Sequence, residues 1–331
     1  MRLSKILAVL ALTIIVLGFV VTAHRPGNIS TSASPASGVP RYNHIFVVME
    51  ENHGYGQIIG NSAAPAINSL AKTYGLATHY TGVADPSEPN YVALIGGNFY
   101  GIADDNPYYR HTINNPSLID QLEGAGLTWK GYFQSMPYAG FMGICFPTRC
   151  GGTPDSDTLY ASKHNGFPNF ARIQNNVQEQ KKMVPDTQLD QDLQNNQVPN
   201  FSLIVPDECH DMHGSPPNCI DSANPGTAQD NLLVSVGDTY LKVVVNKLTS
   251  SALWSNGNNA VVITWDEGNT AQSRVVAIVI TNHGPRGLQD NSPYSHYSLL
   301  LTIEQAFGLG CLQNTCNATV KPMAPLFAVS R

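Results

Sequence analysis

The chain has 331 residues, a formal net charge of −6 and a 42% content of hydrophobic side chains. This length suits one large α/β domain or two small ones, and the composition allows a sizeable core. The sequence contains no run of lysine or arginine, which argues against a protein that binds nucleic acid by neutralising phosphates.

The first 23 residues predict an export signal. Arg2 and Lys5 precede an apolar run from residue 6 to residue 21, and small residues follow at a plausible cleavage site. Because the apolar run is short for a membrane span, cleavage after Ala23 is favoured over an uncleaved membrane anchor. Either outcome places the remainder outside the cytosol, as a secreted or extracytoplasmic protein.

Residues 24–40 are rich in Ser, Pro and Gly, which is typical of a linker. The main domain is expected to occupy residues 41–331. Six apolar, β-branched segments in this domain predict buried strands, and helical patterns separate them. The predicted strands are 44–50, 76–83, 127–133, 201–207, 260–266 and 275–281. The predicted helices are 64–75, 116–126, 229–250 and a last helix that begins near Ser295.

This alternation predicts an α/β fold with a mostly parallel sheet covered by helices on both faces. In the 229–250 helix, one apolar face is predicted to carry residues spaced by four, namely Leu232, Val236, Tyr240, Val244 and Leu248. Residues 134–200 lack strong periodicity and are rich in Gln, Asn, Pro and Gly. They are interpreted as an irregular insertion that partly covers the site, and not as a separate domain.

Polar clusters follow three of the predicted strands. Glu51, Asn52 and His53 follow the first, Asp207, Asp211 and His213 follow the fourth, and Asp266 and Glu267 follow the fifth. If these strands are parallel, all three clusters emerge at one edge of the sheet, where ligands bind in such folds. Carboxylates and imidazoles gathered there predict a site for a divalent cation, which would relieve the repulsion between Asp266 and Glu267.

Ser87 lies between the first two clusters, in the stretch "ADPSEPNYVALIGGN". Pro89 suits a first helical turn, so Ser87 has two interpretations. It is either an N-cap whose hydroxyl bonds a backbone N–H, or a nucleophile at a helix N-terminus that favours a phosphoryl group. Asn90 either donates to a phosphate oxygen or merely caps.

Six cysteines fall as three sequence-local couples, Cys145/Cys150, Cys209/Cys219 and Cys311/Cys316. Six cysteines allow 15 connectivities, so local pairing is a hypothesis. The couples lack the spacing of zinc knuckles, and disulfides suit an exported chain better.

Several motifs resemble, in order, those of a bacterial phosphoesterase family of secreted acid phosphatases and phospholipase C enzymes. They are "VVMEENHGYGQIIGN", "PSEPNYVALIGGN", "CHDMHG", "ITWDEGN" and "SHYSLLLTIEQAFGL". The family belongs to the alkaline-phosphatase-like superfamily, and the compact exported acid phosphatases, some acting on phosphoinositides, are most similar. The matches span roughly residues 43–310, nearly the whole mature chain.

The resemblance implies that Ser87 is the nucleophile. It implies further that one set of residues ligates a divalent metal, namely Glu51, Asn52, Asp266 and Glu267. A second set is implied to surround the phosphate, namely Asn90, Asp211, His213 and His296. The segment "LYASKHNGF" is also similar to a family segment, which adds Lys163 and His164 as substrate contacts from the insertion.

The chain departs from the family pattern at two places. Asp85 stands where the family usually has His, and "HDMHG" stands where it usually has Asn-Asp-Met-His-Asp-Gly. Both changes bear on substrate preference, while the implied nucleophile and metal carboxylates are retained.

The resulting hypothesis is a metal-dependent acid phosphatase that forms a phosphoserine on Ser87, with His296 binding phosphate or protonating the leaving group. The alternatives are a phospholipase C-type phosphodiesterase, a sulfatase-like enzyme, and a non-catalytic binding protein. The sulfatase pattern requires Arg where this chain has Tyr91. Oxygen ligands suit Mg, Ca or Mn, and the histidines would admit Zn or Fe. The expected partner is a phosphorylated small molecule or a lipid head group. Membrane contact is expected only through an uncleaved N-terminal segment or a lipid substrate.

Overall fold

The computed structural model describes residues 38–147, 158–220, 226–268 and 273–329. The predicted export signal, most of the linker and Cys150 lie outside these ranges. Within them, no helix combines the length and the apolar character that a membrane crossing requires. The described residues belong to one compact unit.

Eleven strands and nine α-helices are found in the described ranges. The strands are β1 His44–Glu50, β2 Gly75–Thr81, β3 Trp129–Phe133, β4 Cys145–Pro147, β5 Thr158–Ala161, β6 Met183–Pro185, β7 Phe201–Val205, β8 Asn259–Trp265, β9 Arg274–Thr281, β10 Gln289–Asp290 and β11 Tyr294–Ser295. The helices are α1 Tyr55–Ile58, α2 Pro65–Thr73, α3 Ser87–Gly96, α4 Leu118–Gly124, α5 Ala171–Gln174, α6 Val177–Gln180, α7 Gln188–Gln194, α8 Ala228–Thr249 and α9 His296–Phe307. All six predicted strands and all four predicted helices are confirmed.

The main sheet has the order β10-β2-β9-β8-β1-β7-β3-β6, and β11 also pairs with β2. The strands β8, β1, β7, β3 and β6 run parallel to one another. They form the apolar centre of the molecule, and every residue of β7 and β8 is buried. The predicted mostly parallel α/β sheet is confirmed.

Strand β9 is antiparallel to both of its neighbours, β8 and β2. Its reversal follows from the chain length between β8 and β9, which is residues 266–273. A parallel crossover needs about a dozen residues or more, so such a short connection can only return the chain antiparallel.

The buried face of α8 differs from the predicted one. Val244 and Leu248 are buried as expected, but Leu232 is 56% exposed and Val236 is 37% exposed. A step of four residues turns a helix by about 400°, so a stripe with that spacing drifts by about 40° at each step. The buried residues of α8 instead recur at intervals of both three and four. They include Leu233, Val234, Gly237, Leu241, Val244, Val245 and Leu248.

The segment 134–200 contains more regular structure than its sequence suggests. Strand β6 joins the main sheet beside β3, and α5, α6 and α7 lie on either side of it in sequence. These elements are three to seven residues long, so they are too short to display a period that could be recognised in the sequence.

Candidate active site

The three polar clusters meet at one edge of the sheet, as predicted. They follow β1, β7 and β8, which are neighbours in the order β8-β1-β7. Two backbone hydrogen bonds join the strand ends: Glu51 N–H donates to the Asp211 carbonyl at 2.8 Å, and Asp266 N–H donates to the Glu50 carbonyl at 2.9 Å. The parallel register therefore places Glu51, Asp211 and Asp266 side by side.

Ser87 is the first residue of α3, a helix in which every residue is buried. The N-cap position belongs to Pro86, and no side chain caps the helix there. The Ser87 hydroxyl donates instead to Glu51 Oε2 at 2.9 Å. Of the two interpretations of Ser87, the N-cap is therefore ruled out by its position in the helix.

The carboxylate of Glu51 is the centre of the cluster. Its Oε2 accepts from Ser87, and its Oε1 accepts from the Tyr91 hydroxyl at 2.6 Å. Burial, with Asp266 and Asp211 nearby, raises the pKa of Glu51 well above its usual range. Sequence reasoning missed Tyr91, although it lies one helical turn after Ser87 and therefore on the same face of α3.

Asp266 is buried directly after β8. Its Oδ1 accepts from the backbone N–H of Asn52 at 3.2 Å, so Asn52 reaches the cluster through its backbone, with a left-handed φ of 57°. Burial raises the pKa of Asp266 to about 6. The backbone passes close by at Gly82, where an added Cβ would lie 2.6 Å from the Asp266 carbonyl oxygen.

Glu267 adjoins Asp266 and is 5% exposed. Burial, together with repulsion from Asp266, Asp85 and Asp105, raises its pKa to about 9. Asp85 is the residue that stands where the family usually has His, so this departure adds negative charge beside Glu267.

Asn90 holds the turn that leads into α3. Its Oδ1 accepts from Val83 N–H at 2.9 Å and Ala84 N–H at 3.1 Å, and its Nδ2 donates to the Ala84 carbonyl at 3.0 Å. The same Nδ2 lies 3.4 Å from Glu267 Oε2. These contacts favour the capping interpretation of Asn90 over the phosphate contact. The backbone groups that it binds belong to the turn before Ser87.

His296 is the first residue of α9 and is fully buried. Its Nε2 lies 2.6 Å from the Asp266 carbonyl, which can only accept, so Nε2 carries the ring proton. Nδ1 then accepts from the Tyr80 hydroxyl at 3.0 Å. Burial lowers the pKa of His296 to about 4, although the bond to Asp266 opposes the shift. Both ring nitrogens of His296 are thus engaged by protein groups, and the bond from Nε2 helps to position Asp266.

The insertion delivers Lys163 and His164 to the cluster from the turn that follows β5. Lys163 Nζ lies 3.4 Å from His213 Nε2 and 3.5 Å from Asp105 Oδ2. The sequence therefore located both residues at the site, although their partners could not be predicted from it.

His164 lies among three carboxylates. Its Nδ1 is 3.2 Å from Glu208 Oε1 and 3.4 Å from Asp211 Oδ2, and its Nε2 is 3.2 Å from Glu51 Oε1. Burial, with Lys163 and His213 nearby, lowers the pKa of His164 well below its usual range. A neutral imidazole has a single N–H, so it cannot donate to carboxylates on both sides. A proton or a cation must therefore compensate the remaining charge.

The loop after β7 carries Glu208, Asp211 and His213. His213 Nδ1 lies 2.7 Å from Glu208 Oε2, and the His213 N–H donates to Asp211 Oδ1 at 2.7 Å. Burial alone would lower the pKa of His213, but the ion pair with Glu208 raises it above the ordinary value. Sequence reasoning missed Glu208, whose only signal was its place beside Asp207 in this acidic loop.

A disulfide joins Cys209 to Cys219 and closes the loop that contains Asp211 and His213. A second disulfide joins Cys311 to Cys316. Both predicted local pairs are present. The predicted pair of Cys145 with Cys150 includes a residue outside the described ranges.

Two residues of the predicted clusters have other partners. His53 Nε2 lies 3.0 Å from Asp230 Oδ1 at the start of α8, and its Nδ1 lies 3.0 Å from the Glu51 carbonyl. Asp207 accepts from Ser135 at 2.6 Å and lies 2.7 Å from His210 Nδ1. His53 and Asp207 thus stabilise the loops that carry the site.

The donor set fits a divalent cation. In each of two groups, the ligand atoms all lie within 4.8 Å of one another. The first group is Glu51, His164 and His213, and the second is His164, Glu208 and Asp211. Among the predicted ligands Glu51, Asn52, Asp266 and Glu267, only Glu51 belongs to either group. Within the site, three buried carboxylate oxygens accept no hydrogen bond from the described residues: Asp266 Oδ2, and Asp211 Oδ2 and Glu208 Oε1, which face the His164 ring. Buried carboxylates without partners are costly unless a proton or a cation compensates them.

The chain is 29% identical over 276 residues to a phosphatidylinositol-3-phosphatase of Mycobacterium tuberculosis, covering 83% of this chain and 80% of that protein. It is 25% identical over 273 residues to a probable acid phosphatase of Kluyveromyces lactis, covering 81% of this chain and 59% of that protein. A crystal structure of an alkaline phosphatase superfamily protein from Vibrio parahaemolyticus superposes with a TM-score of 0.54 at 12% identity, covering 86% and 70% of the two chains. That likeness shows the alkaline-phosphatase-like fold.

The sequence profile of the Phosphoesterase family matches residues 61–310, which include Ser87, the Glu208–His213 loop and Asp266. Strand ends of the alkaline-phosphatase-like sheet bring these residues together at one buried, acidic cluster. The chain therefore belongs to the Phosphoesterase family and is a hydrolase of phosphoric ester bonds.

Proposed function

We propose that the protein is an exported, metal-dependent acid phosphatase that hydrolyses phosphomonoesters through a phosphoserine on Ser87. One observation carries the proposal: the Ser87 hydroxyl, at the first residue of a buried helix, donates to Glu51 Oε2 inside a cluster of buried carboxylates. A serine held in this way has a base for its proton and a helix N-terminus that favours the phosphoryl group.

In the first step, Ser87 Oγ attacks phosphorus while the bond from phosphorus to the ester oxygen breaks. The Ser87 proton passes to Glu51 Oε2, its hydrogen-bond partner. His213 is the proposed donor of a proton to the leaving alcohol, because it is the most exposed of the three site histidines and its pKa is raised. Lys163, beside His213, contributes positive charge to the phosphoryl oxygens.

In the second step, water attacks the phosphoserine and gives a proton to the His213 imidazole. The bond from phosphorus to Ser87 Oγ breaks, Oγ recovers its proton from Glu51, and orthophosphate leaves. His296 acts through Asp266, since both of its ring nitrogens are engaged. Asn90 likewise acts by holding the turn before Ser87.

Glu51, Asp266 and Glu267 remain the proposed metal ligands, together with Asn52. The carboxylates Glu51 and Asp266 both lie within hydrogen-bonding reach of Ser87. A divalent cation bound there would neutralise their repulsion and lower the pKa of the serine hydroxyl. His164 is adjacent to the same Glu51 and is available to complete the site.

The substrate class follows from the relatives named above, a phosphatidylinositol-3-phosphatase and an acid phosphatase. A phosphomonoester, including a phosphoinositide head group, is therefore the proposed substrate. Export is supported by the predicted N-terminal signal and by two local disulfides, which persist in oxidising compartments.

The decisive experiment pairs Ser87→Ala with Ser117→Ala. Ser117 occupies the N-cap position of α4, where its N–H and its hydroxyl donate to Asp120 Oδ2 at 2.8 and 2.9 Å. We expect Ser87→Ala to remain folded and to lose several orders of magnitude in kcat, because the covalent path is lost. Ser117→Ala should keep its rate and lose about 1 kcal/mol of stability.

Acid quenching during turnover of a labelled phosphomonoester should trap label on the peptide that contains Ser87. A Ser87→Ala rate within about tenfold of the native rate, a barrier difference of about 1.4 kcal/mol, would contradict the nucleophile. Parallel assays with p-nitrophenyl phosphate and bis-p-nitrophenyl phosphate, each with and without chelator, test ester class and metal dependence.

A further inference from the structure

Large apolar side chains that are exposed in the described ranges fall into separate regions. Leu232, Val236 and Val243 lie on α8, and Val177 begins α6. The remaining exposed residues are aromatic: Tyr138 at 60%, Tyr109 at 57% and Phe146 at 38%. The aromatic group stands apart because both chain segments that carry it lead into the active site.

The aromatic residues form two groups of neighbouring rings. The rings of Tyr108 and Tyr109 lie 5.5 Å apart, those of Tyr138 and Phe141 lie 5.4 Å apart, and those of Phe141 and Phe146 lie 6.3 Å apart. The Tyr108 hydroxyl joins the two segments by donating to the Met142 carbonyl at 2.7 Å. These five residues, Tyr108, Tyr109, Tyr138, Phe141 and Phe146, are called the aromatic surface below.

The first segment of the aromatic surface leads to the nucleophile. The turn Tyr108–Arg110 is followed by His111, whose Nδ1 lies 2.9 Å from Glu88 Oε1. Glu88 is the neighbour of Ser87 in α3. A cavity of about 320 Å³ lies along this segment, and Arg110 and His111 are among the residues that line it.

The second segment leads to the insertion residues of the site. Phe146 lies in β4, which pairs with β5, and β5 runs directly into Lys163 and His164. The ring of Phe141 also packs 5.6 Å from that of Tyr160 in β5. Both chain segments of the aromatic surface therefore continue into residues next to the active site.

The chemistry of the aromatic surface indicates what covers it. Residues 131–148 contain no charged side chain, although Tyr138 and Phe146 within this stretch are exposed. Tyrosine combines an apolar ring with a polar hydroxyl, and such side chains concentrate where hydrocarbon meets water at a membrane surface. Arg110, which follows Tyr109, is an exposed cation that lines the cavity together with Asp104 and His111, and such cations attract lipid phosphates.

We infer that the aromatic surface is a docking face for a phospholipid bilayer, which holds the active site against phosphorylated lipid head groups. The inference rests on the proposed function, because only a lipid substrate requires the site to lie at a membrane. The aromatic rings would lie in the interfacial zone of the bilayer. Hydrolysis of a soluble phosphomonoester by Ser87 does not require them.

The test compares two triple variants of the full-length protein. The docking variant is Tyr109→Ser, Tyr138→Ser and Phe146→Ser. The matched control replaces three apolar residues elsewhere of nearly equal exposure, Val177→Ser, Leu232→Ser and Val236→Ser, which are 61%, 56% and 37% exposed. Each protein is assayed for sedimentation with phosphatidylcholine vesicles that contain phosphatidylinositol 3-phosphate, for phosphate release from those vesicles, and for hydrolysis of p-nitrophenyl phosphate.

We expect the docking variant to hydrolyse p-nitrophenyl phosphate at a rate within about twofold of the native rate. Its vesicle binding and its lipid turnover should fall by about tenfold or more, because apolar side chains that enter the interface are lost. The control should retain native values in all three assays.

Equal vesicle binding by the docking variant and the native protein would overturn the inference, as would a native protein that does not sediment with vesicles. If the aromatic surface binds another protein and not lipid, the docking variant and the native protein would bind vesicles equally. If no protein hydrolyses p-nitrophenyl phosphate, the proposed function fails, while the sedimentation comparison still decides whether the aromatic surface binds lipid.

Discussion

The active site has two halves that are held in different ways. The sheet-edge half comprises Glu51, Ser87, Asn90 and Asp266, which follow strands of the main sheet or lie in the first turn of α3. The insertion half comprises Lys163, His164, Glu208 and His213, which lie in a turn of the insertion and in the loop after β7.

Backbone bonds fix the sheet-edge half. The strand register, the bond from His296 to the Asp266 carbonyl and the bonds from Asn90 to its turn do not depend on site charges. The insertion half is held largely by contacts between ionisable side chains, such as His164 with Glu208 and Lys163 with Asp105. The sheet-edge half thus supplies rigid geometry, and the insertion half supplies the balance of charge.

The largest effect is expected in the sheet-edge half. Asp266→Ala should lower kcat by about 10⁴-fold or more and abolish stoichiometric metal binding, because an oxygen ligand and its charge are lost. The fold should survive, since Glu51 and Glu267 are then relieved of repulsion. Asp190→Ala is the control, because Asp190 forms an exposed ion pair with Lys247 at 2.8 Å. Native turnover by Asp266→Ala in chelated buffer would show that this half binds no metal.

A smaller effect is expected in the insertion half. Lys163→Met removes the positive charge that lowers the pKa of Glu51 and Glu267, and kcat should fall by roughly a hundredfold to a thousandfold. Metal affinity should remain measurable, because no proposed ligand is removed. Lys247→Met, at the exposed pair with Asp190, should leave kcat unchanged. Equal kcat values for the two variants would mean that Lys163 has no role in the reaction.

The two described disulfides close short loops of similar size, with sequence separations of 10 and 5 residues. Removing either one by Cys→Ser at both positions should cost about 2–3 kcal/mol of stability. Only the Cys209/Cys219 pair holds the loop of the insertion half, so only its loss should lower kcat/KM, by roughly tenfold. An equal loss of kcat/KM in both double variants, measured well below their Tm, would remove this distinction.

The last effect concerns stability and not the reaction, and it is a pH dependence of unfolding in metal-free protein. The pKa of Glu267 rises from about 4.5 to about 9 in the folded protein, so the folded state binds more protons than the unfolded state between these values. The free energy of unfolding should therefore fall as pH rises from about 5 to 9. Glu267→Gln should flatten this slope in urea titrations, and a divalent cation should flatten it in the native protein. If Glu267→Gln leaves the slope unchanged, other titratable groups cause the pH dependence of stability.

Most of the sheet-edge half could be predicted from the sequence. Continuous apolar strands identified a parallel sheet, and the polar residues that follow β1, β7 and β8 had to emerge together at one edge. The choice between nucleophile and cap for Ser87 could not be predicted. It depends on whether Pro86 or Ser87 is the N-cap of α3, a difference of one residue that spacing does not resolve.

The insertion half was harder to predict, because its contacts are long-range pairs between loops. Family resemblance identified Lys163 and His164, but Glu208 gave no signal apart from its place in an acidic loop. The resemblance also implied that His296 lies near the phosphate, but its contacts with the Asp266 carbonyl and Tyr80 could not be predicted from the sequence. The error in α8 had a different cause, the gradual drift of a four-residue stripe around the helix.

The close approach of Gly82 to Asp266 has a consequence for protein engineering. The Asp266 carbonyl is contacted by His296 on one side, and on another the backbone of Gly82 leaves no space for even a methyl group. Variant libraries that diversify residues 82–90 should consist mostly of inactive proteins. Lys163 and His164 instead lie on a short turn outside the parallel strands, so the residues around this turn are those in which selection for new ester substrates should succeed.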